Sequence, residues 1–85
     1  MEKSIFSENY LVFLKHLREA RRQAGLTQEE VARRLGHNQS FVSKCERGER
    51  RVDVIELQYF CKAIGVSFED FVYSLASDIE CRNLD

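Results

Sequence analysis

Four glycines, at positions 25, 36, 48 and 65, cut a chain that contains no proline into five segments. Each glycine follows a run of helical periodicity, where a chain leaving a helix turns left-handed and a residue without a β-carbon fits best. The segments also begin as helices begin. Thr27 with Glu30, Asp53 with Glu56, and Ser67 with Asp70 set a side-chain acceptor three residues ahead of an acidic partner, which is a capping box or its acidic variant. Starts and stops agree on helices over Glu8 to Ala24, Gln28 to Leu35, Gln39 to Arg47, Val54 to Ile64 and Phe68 to Ser77. No segment alternates as a strand would, and no stretch repeats. One all-α domain over residues 1–85 is expected, with 1–7 and 78–85 flexible.

The apolar faces of these helices name a core. The first two helices supply Phe13, Leu17, Ala20 and Ala24, then Leu26, Val31, Ala32 and Leu35; the third adds Val42 and Cys45. The last two supply Val54, Leu57, Phe60, Cys61 and Ile64, then Phe68, Phe71 and Leu75, with Val66 between them. Burying one large aliphatic or aromatic side chain is worth roughly 1.5–3 kcal/mol. A dozen such residues offset part of the ordering entropy of 85 residues, but leave no room for a large enzyme cleft.

Other classes are disfavoured by what the residues lack. No apolar run approaches the roughly 20 residues that span a bilayer, and the start, Met-Glu-Lys-Ser-Ile-Phe-Ser-Glu, has no long apolar h-region. A cytoplasmic protein without membrane contact is expected. Cys45, Cys61 and Cys81 are odd in number and show no Cys-x-x-Cys spacing, so they read as reduced thiols, Cys45 and Cys61 as small hydrophobes, with redox sensing as the alternative. Neither His16 nor His37 has an acid, nucleophile or ligand pair at a useful spacing, so no catalytic residue, metal or cofactor is expected.

The net charge of −1 conceals a division along the chain. Between Lys15 and Arg51 ten basic and five acidic residues give +5, whereas residues 52–85 hold two basic and seven acidic residues, giving −5. One basic face turned to a polyanion would produce that asymmetry, and so would ordinary solvated helix surface.

A family resemblance gathers these features. Leu17-Arg18 with Arg21, Gly25-Leu26-Thr27-Gln28-Glu29-Glu30-Val31-Ala32, Leu35-Gly36, Val42-Ser43-Lys44, Glu46-Arg47-Gly48 and Ile64-Gly65-Val66-Ser67 together resemble the Cro and phage-repressor (XRE) class of helix-turn-helix DNA-binding proteins. The match runs from about Phe13 to Phe71 and keeps its spacing across four helices. It implies a five-helix repressor-like bundle, with the helix-turn-helix at helices 2 and 3, dimeric on a two-fold symmetric operator. Phe41 departs from the family, where a small or hydroxylic residue is common; its ring could touch a thymine methyl group or fold back onto helix 2. Ala20 and Cys45 are smaller than the usual Leu or Ile, a deficit that Phe60 could fill.

Under that resemblance, Gln39 and Ser40 enter the major groove first, and Lys44 follows one turn on with Ser43. Gln suits adenine and Lys suits guanine. The bland alternative for Gln39, Ser40 and Ser43 is solvent exposure beside an Asn38 cap. Phosphate contacts fall to Gln28 at the start of helix 2, to Asn38, and to Arg47, Arg50 and Arg51, whose alternative is a solvated turn. The resemblance also pairs Arg21 with Glu46 as a structural tie. Ile55 and Tyr59, four residues apart, and Val72 and Tyr73 lie off the inferred core faces, with Ile79 beyond them. They propose a homodimer interface, unless the core stripe is unusually wide.

The resulting expectation is a non-enzymatic, sequence-specific regulator that binds double-stranded DNA as a homodimer, a repressor or autoregulator. Contact with RNA polymerase is compatible with it. The alternative is an antitoxin-like interaction module that neutralises a toxin-like protein partner.

Overall fold

The computed structural model describes residues 7–82, with side chains as far as Ile79. Its elements are α1 (Glu8–Gln23), α2 (Gln28–Leu35), α3 (Gln39–Glu46), α4 (Val54–Ile64) and α5 (Phe68–Arg82), and no strand occurs among the described residues. The chain is all-α. Helix α2 packs on α3 and α4, while α1 packs on α5 and α3 and α4 closes against α5.

The helix starts follow from their caps. Thr27 Oγ1 accepts from the Glu30 N–H at 3.1 Å while Glu30 Oε1 accepts from the Thr27 N–H at 2.8 Å, and Asp53 with Glu56 repeats the exchange at 2.7 and 3.0 Å. The Thr27 backbone bond is the main reason the Glu30 carboxyl sits below its ordinary value. Ser67 Oγ accepts from the Asp70 N–H at 3.1 Å, which starts α5. Ser7, expected to be flexible, caps α1 by accepting from the Tyr10 N–H at 3.2 Å.

At the other ends, Gly36 closes α2 with φ 78° and Gly65 closes α4 with φ 93°. A β-carbon built on Gly36 would meet nothing within 4 Å, so a substitution there is opposed by backbone conformation alone. Gly36→Ala is therefore expected to cost about 1–2 kcal/mol in urea unfolding. A loss well beyond that would mean the turn between α2 and α3 is held by contacts not seen here.

The core comprises Phe13, Leu14 and Leu17 from α1, Val31 and Ala32 from α2, Val42 and Cys45 from α3, Leu57, Phe60, Cys61, Ala63 and Ile64 from α4, and Phe71 from α5. Ala20, Leu26, Leu35, Val66, Phe68 and Leu75 pack around it half-buried, with Phe41, Tyr10 and Val52. Burial raises both enclosed thiols, that of Cys61 to about 11, so neither is poised to react at neutral pH. Both are free; the side chain of Cys81 lies outside the described residues.

Three expectations are corrected. Val54 is 62% exposed rather than core, because it is the first residue after the Asp53 cap and its β-carbon leans out past the helix end. Ala24 is exposed, because α1 ends at Gln23 and Ala24 is its cap. Helix α5 continues beyond Ser77 to Arg82 instead of fraying. Ile79 is half-buried there, and Asp78 meets His16 Nε2 of α1 at 3.1 Å, which ties the extension to its neighbour. Residues 1–6 and 83–85 lie outside the described residues.

No helix among the described residues is long and apolar enough to cross a membrane.

Candidate nucleic-acid interface

Helix α3 buries Val42, Cys45 and Glu46. With 3.6 residues per turn, Ser40, Ser43 and Lys44 then fall on its outer side, and Gln39, although only seven residues ahead of buried Glu46, joins their edge because it opens the helix and nothing packs over it. Gln39, Ser40 and Lys44 are exposed and Ser43 is half-buried. Asn38 caps this helix by accepting from the Phe41 N–H at 3.0 Å through its side-chain oxygen, a bond that does not use its amide hydrogens.

Behind that face lies a polar chain that crosses three helices. Arg21 Nε donates to Glu46 Oε2 at 2.7 Å and its Nη2 to Glu46 Oε1 at 3.1 Å, while Nη1 donates to the Leu26 carbonyl at 2.9 Å. The paired side chains retain only 10% and 4% of their exposure. Gln28 Nε2 donates to the same Glu46 Oε1 at 2.9 Å, which turns Gln28 Oε1 outward to accept from Gln39 Nε2 at 3.4 Å. A buried ion pair thus orients a side chain at the start of α2, and that side chain touches the first residue of α3. No buried side-chain nitrogen or oxygen lacks a partner among the described residues.

The loop from α3 to α4 carries the arginines, and each is engaged differently. Arg47 reaches Glu49 through Nε at 3.0 Å and Nη2 at 3.1 Å, and also donates to Ser43 Oγ. Arg50 grips Glu56 end-on, Nη1 to Oε1 at 3.0 Å and Nη2 to Oε2 at 2.7 Å. Hydrogen bonds from Arg50 hold the Glu56 carboxyl below its usual range, as those from Arg47 do for Glu49. Arg51 lies 4.5 Å above the Tyr10 ring and belongs to no ion pair among the described residues. Tyr10 also fixes this loop by accepting from the Val52 N–H at 3.1 Å.

Phe41 stacks on His37 with centroids 3.9 Å apart and lies parallel to Phe60 of α4 at 6.2 Å, with the Arg50 guanidinium 5.0 Å from its centroid. The ring folds back over the turn between α2 and α3 and toward α4. Sequence reasoning named Arg50 and the Glu56 cap but missed their pairing, because residues six apart across a loop have no spacing rule. It passed over the His37–Phe41 stack too, although an aromatic four residues from a histidine at a helix start was the available signal.

On α4 and α5, Ile55, Tyr59, Val72 and Tyr73 stay exposed, Tyr59 at 61% and Tyr73 at 76%. Helices α4 and α5 therefore carry an apolar surface that the chain's own core does not cover.

A family model described as helix-turn-helix matches residues 17–71. Among curated proteins, the uncharacterized HTH-type transcriptional regulator y4dJ of Sinorhizobium fredii is 48% identical over 52 residues, covering 61% of this chain and 68% of that one. Among solved structures, an XRE-family like protein from Pseudomonas syringae pv. tomato is similar at a TM-score of 0.80 and 48% identity, over 86% of this chain and 89% of that one. A mutant of the restriction-modification controller protein C.Esp1396I follows at 0.74 and 26% identity, over 93% and 95% of the two chains. The clp gene regulator ClgR from C. glutamicum gives 0.71 and 26% identity over 91% and 95%.

Proposed function

The chain belongs to the XRE-type helix-turn-helix family of transcriptional regulators, a non-enzymatic class, and from that premise we propose that it reads operator DNA as a symmetric dimer. The observation that carries the reading is the outer side of α3. Four hydrogen-bonding side chains, Gln39, Ser40, Ser43 and Lys44, share it, and a helix fits the major groove, where base edges can be told apart. Gln39 is assigned to adenine and Lys44 to guanine. Gln28 and Asn38, each at a helix start, together with Arg47, Arg50 and Arg51, supply phosphate contacts that fix the docking without reading sequence.

The uncovered face of α4 and α5 is assigned to the partner subunit through Ile55, Tyr59, Val72, Tyr73 and Ile79. A two-fold axis through that patch sets the two α3 helices one DNA turn apart, about 34 Å. Binding there occludes a promoter, so repression or autoregulation needs no further domain. The solved controller and gene regulator of similar fold support a regulator of this size.

Selection of duplexes from a random pool tests the proposal. The parent is expected to enrich an inverted repeat with half-sites one turn apart, and Tyr59→Glu/Tyr73→Glu to sediment as a monomer and lose most of its affinity for the full site. Enrichment of no sequence would reject DNA reading. A monomeric parent that still binds the full site would reject the dimer.

A further inference from the structure

We propose that Glu56 acts as an internal rival of the DNA backbone: its carboxylate occupies Arg50 as a phosphate would, and so holds down the affinity of the protein for duplex DNA. The inference rests on the reading of the chain as a DNA binder and adds a control to that same surface.

The geometry carries it. A carboxylate and a phosphate offer an arginine the same pair of oxygens, and the end-on fork of Arg50 is closed on both oxygens of Glu56, at 3.0 and 2.7 Å. Nη1 also donates to the Arg51 carbonyl at 2.9 Å, and one face of the guanidinium lies against Phe41. Glu56 in turn is held by the cap at the start of α4, where Oε1 accepts from the Asp53 N–H. The carboxylate is therefore fixed rather than trailing in solvent, and Arg50 must give up a pre-formed fork before it can close on a phosphate. Arg47 and Glu49 form a similar fork, but at 54% and 53% exposure against 44% and 27% for Arg50 and Glu56, and without a helix cap holding the carboxylate, that pair is the more weakly held of the two. Of the three loop arginines, only Arg51 presents its charge without a carboxylate partner among the described residues.

The fork matters to function because Phe41 belongs to α3. Arg50 joins the loop, the ring of Phe41 and the first turn of α4 into one unit, so whatever captures the guanidinium acts beside the residues assigned to base reading.

Glu56→Gln separates the roles of this side chain. Glutamine keeps an acceptor for the Asp53 N–H, so the cap survives, while the charge that binds Arg50 is lost. A full cycle compares parent, Glu56→Gln, Arg50→Ala and the double variant, each checked for an unchanged thermal melt, on one selected duplex across a salt series. Glu56→Gln is expected to tighten binding up to about eightfold at 0.1 M salt and to steepen the salt slope by up to about 0.9, the full yield of the Arg50 phosphate contact that the parent, with Glu56 competing, makes only in part. In the Arg50→Ala background the same change is expected to alter neither. Equal gains in both backgrounds would reduce Glu56 to its contribution to net charge and overturn the proposal, as would weaker binding by Glu56→Gln. A parent that binds no duplex at any salt would sink the DNA reading itself and this inference with it; a parent that binds with a normal slope but shows no coupling in the cycle would sink this inference alone.

Discussion

Glu46→Ala is expected to lose about 3–5 kcal/mol of folding stability, the cost of leaving a buried charge without its partner. The magnitude follows from what the carboxylate does: it accepts two bonds from Arg21 and one from Gln28, with almost no solvent to replace them. Small domains hold about 5–15 kcal/mol in total, so urea unfolding should show the midpoint collapse toward the start of the titration. Arg21→Met/Glu46→Leu provides the internal check. Because desolvating two ions is expensive in itself, an apolar pair of similar volume is expected to recover most of the loss. A Glu46→Ala protein that unfolds like the parent would mean that water or a rearranged Gln28 takes up the exposed guanidinium.

The second large effect concerns recognition. Gln39→Ala and Lys44→Ala are each expected to remove about 1–3 kcal/mol of discrimination at one base position, adenine for the first and guanine for the second. Competition between the selected duplex and single-base variants reads this out. Gln39 is the sharper case, since its amide already leans on Gln28, which is anchored to Glu46. Side chains held in one orientation before docking lose less freedom on binding. Arg51→Ala offers the contrast: it should weaken every duplex alike and flatten the salt slope by about 0.9, leaving base preference intact. Unchanged selectivity in Lys44→Ala would remove the guanine assignment.

The helix starts and ends were legible because each is written in a few adjacent residues. Thr27 with Glu30 and Asp53 with Glu56 act within one turn, and Gly36 and Gly65 take the left-handed conformation their positions demand. The core was legible where large residues repeat on one face, and it blurred at the helix ends. Val54 continues the apolar stripe of α4 on paper but stands one residue inside the cap, where no neighbouring helix reaches it. Leu14 belongs to the core through the stripe of Tyr10, Leu17 and Arg21, a spacing the more conspicuous Phe13 obscured. Ala63 is too small to announce itself. The continuation of α5 carries Asp78 to His16, sixty-two residues away, and no local pattern encodes such a contact.

At the candidate site the division is similar. That Ser40, Ser43 and Lys44 stand on the outer side of α3 follows from helical period once Val42 and Cys45 are recognised as core, and Gln39 joins them as the first residue of the helix. How they are held does not, because the orientation of Gln28 depends on a carboxylate eighteen residues on, and the posture of Phe41 depends on Phe60 and Arg50 together. Pairings across loops depend on the tertiary fold, which a one-dimensional pattern carries only when a resemblance supplies it.

The central claim is that the outer side of α3 lies against base edges. Titration of isotope-labelled protein with its selected duplex, followed by backbone and side-chain amide shifts, tests it most directly. The account predicts that the largest changes fall on Gln39, Ser40, Ser43 and Lys44, with Gln28 and Asn38 next and the α5 amides little moved by DNA. Shifts concentrated on α4 and α5 while α3 stays unperturbed would contradict it.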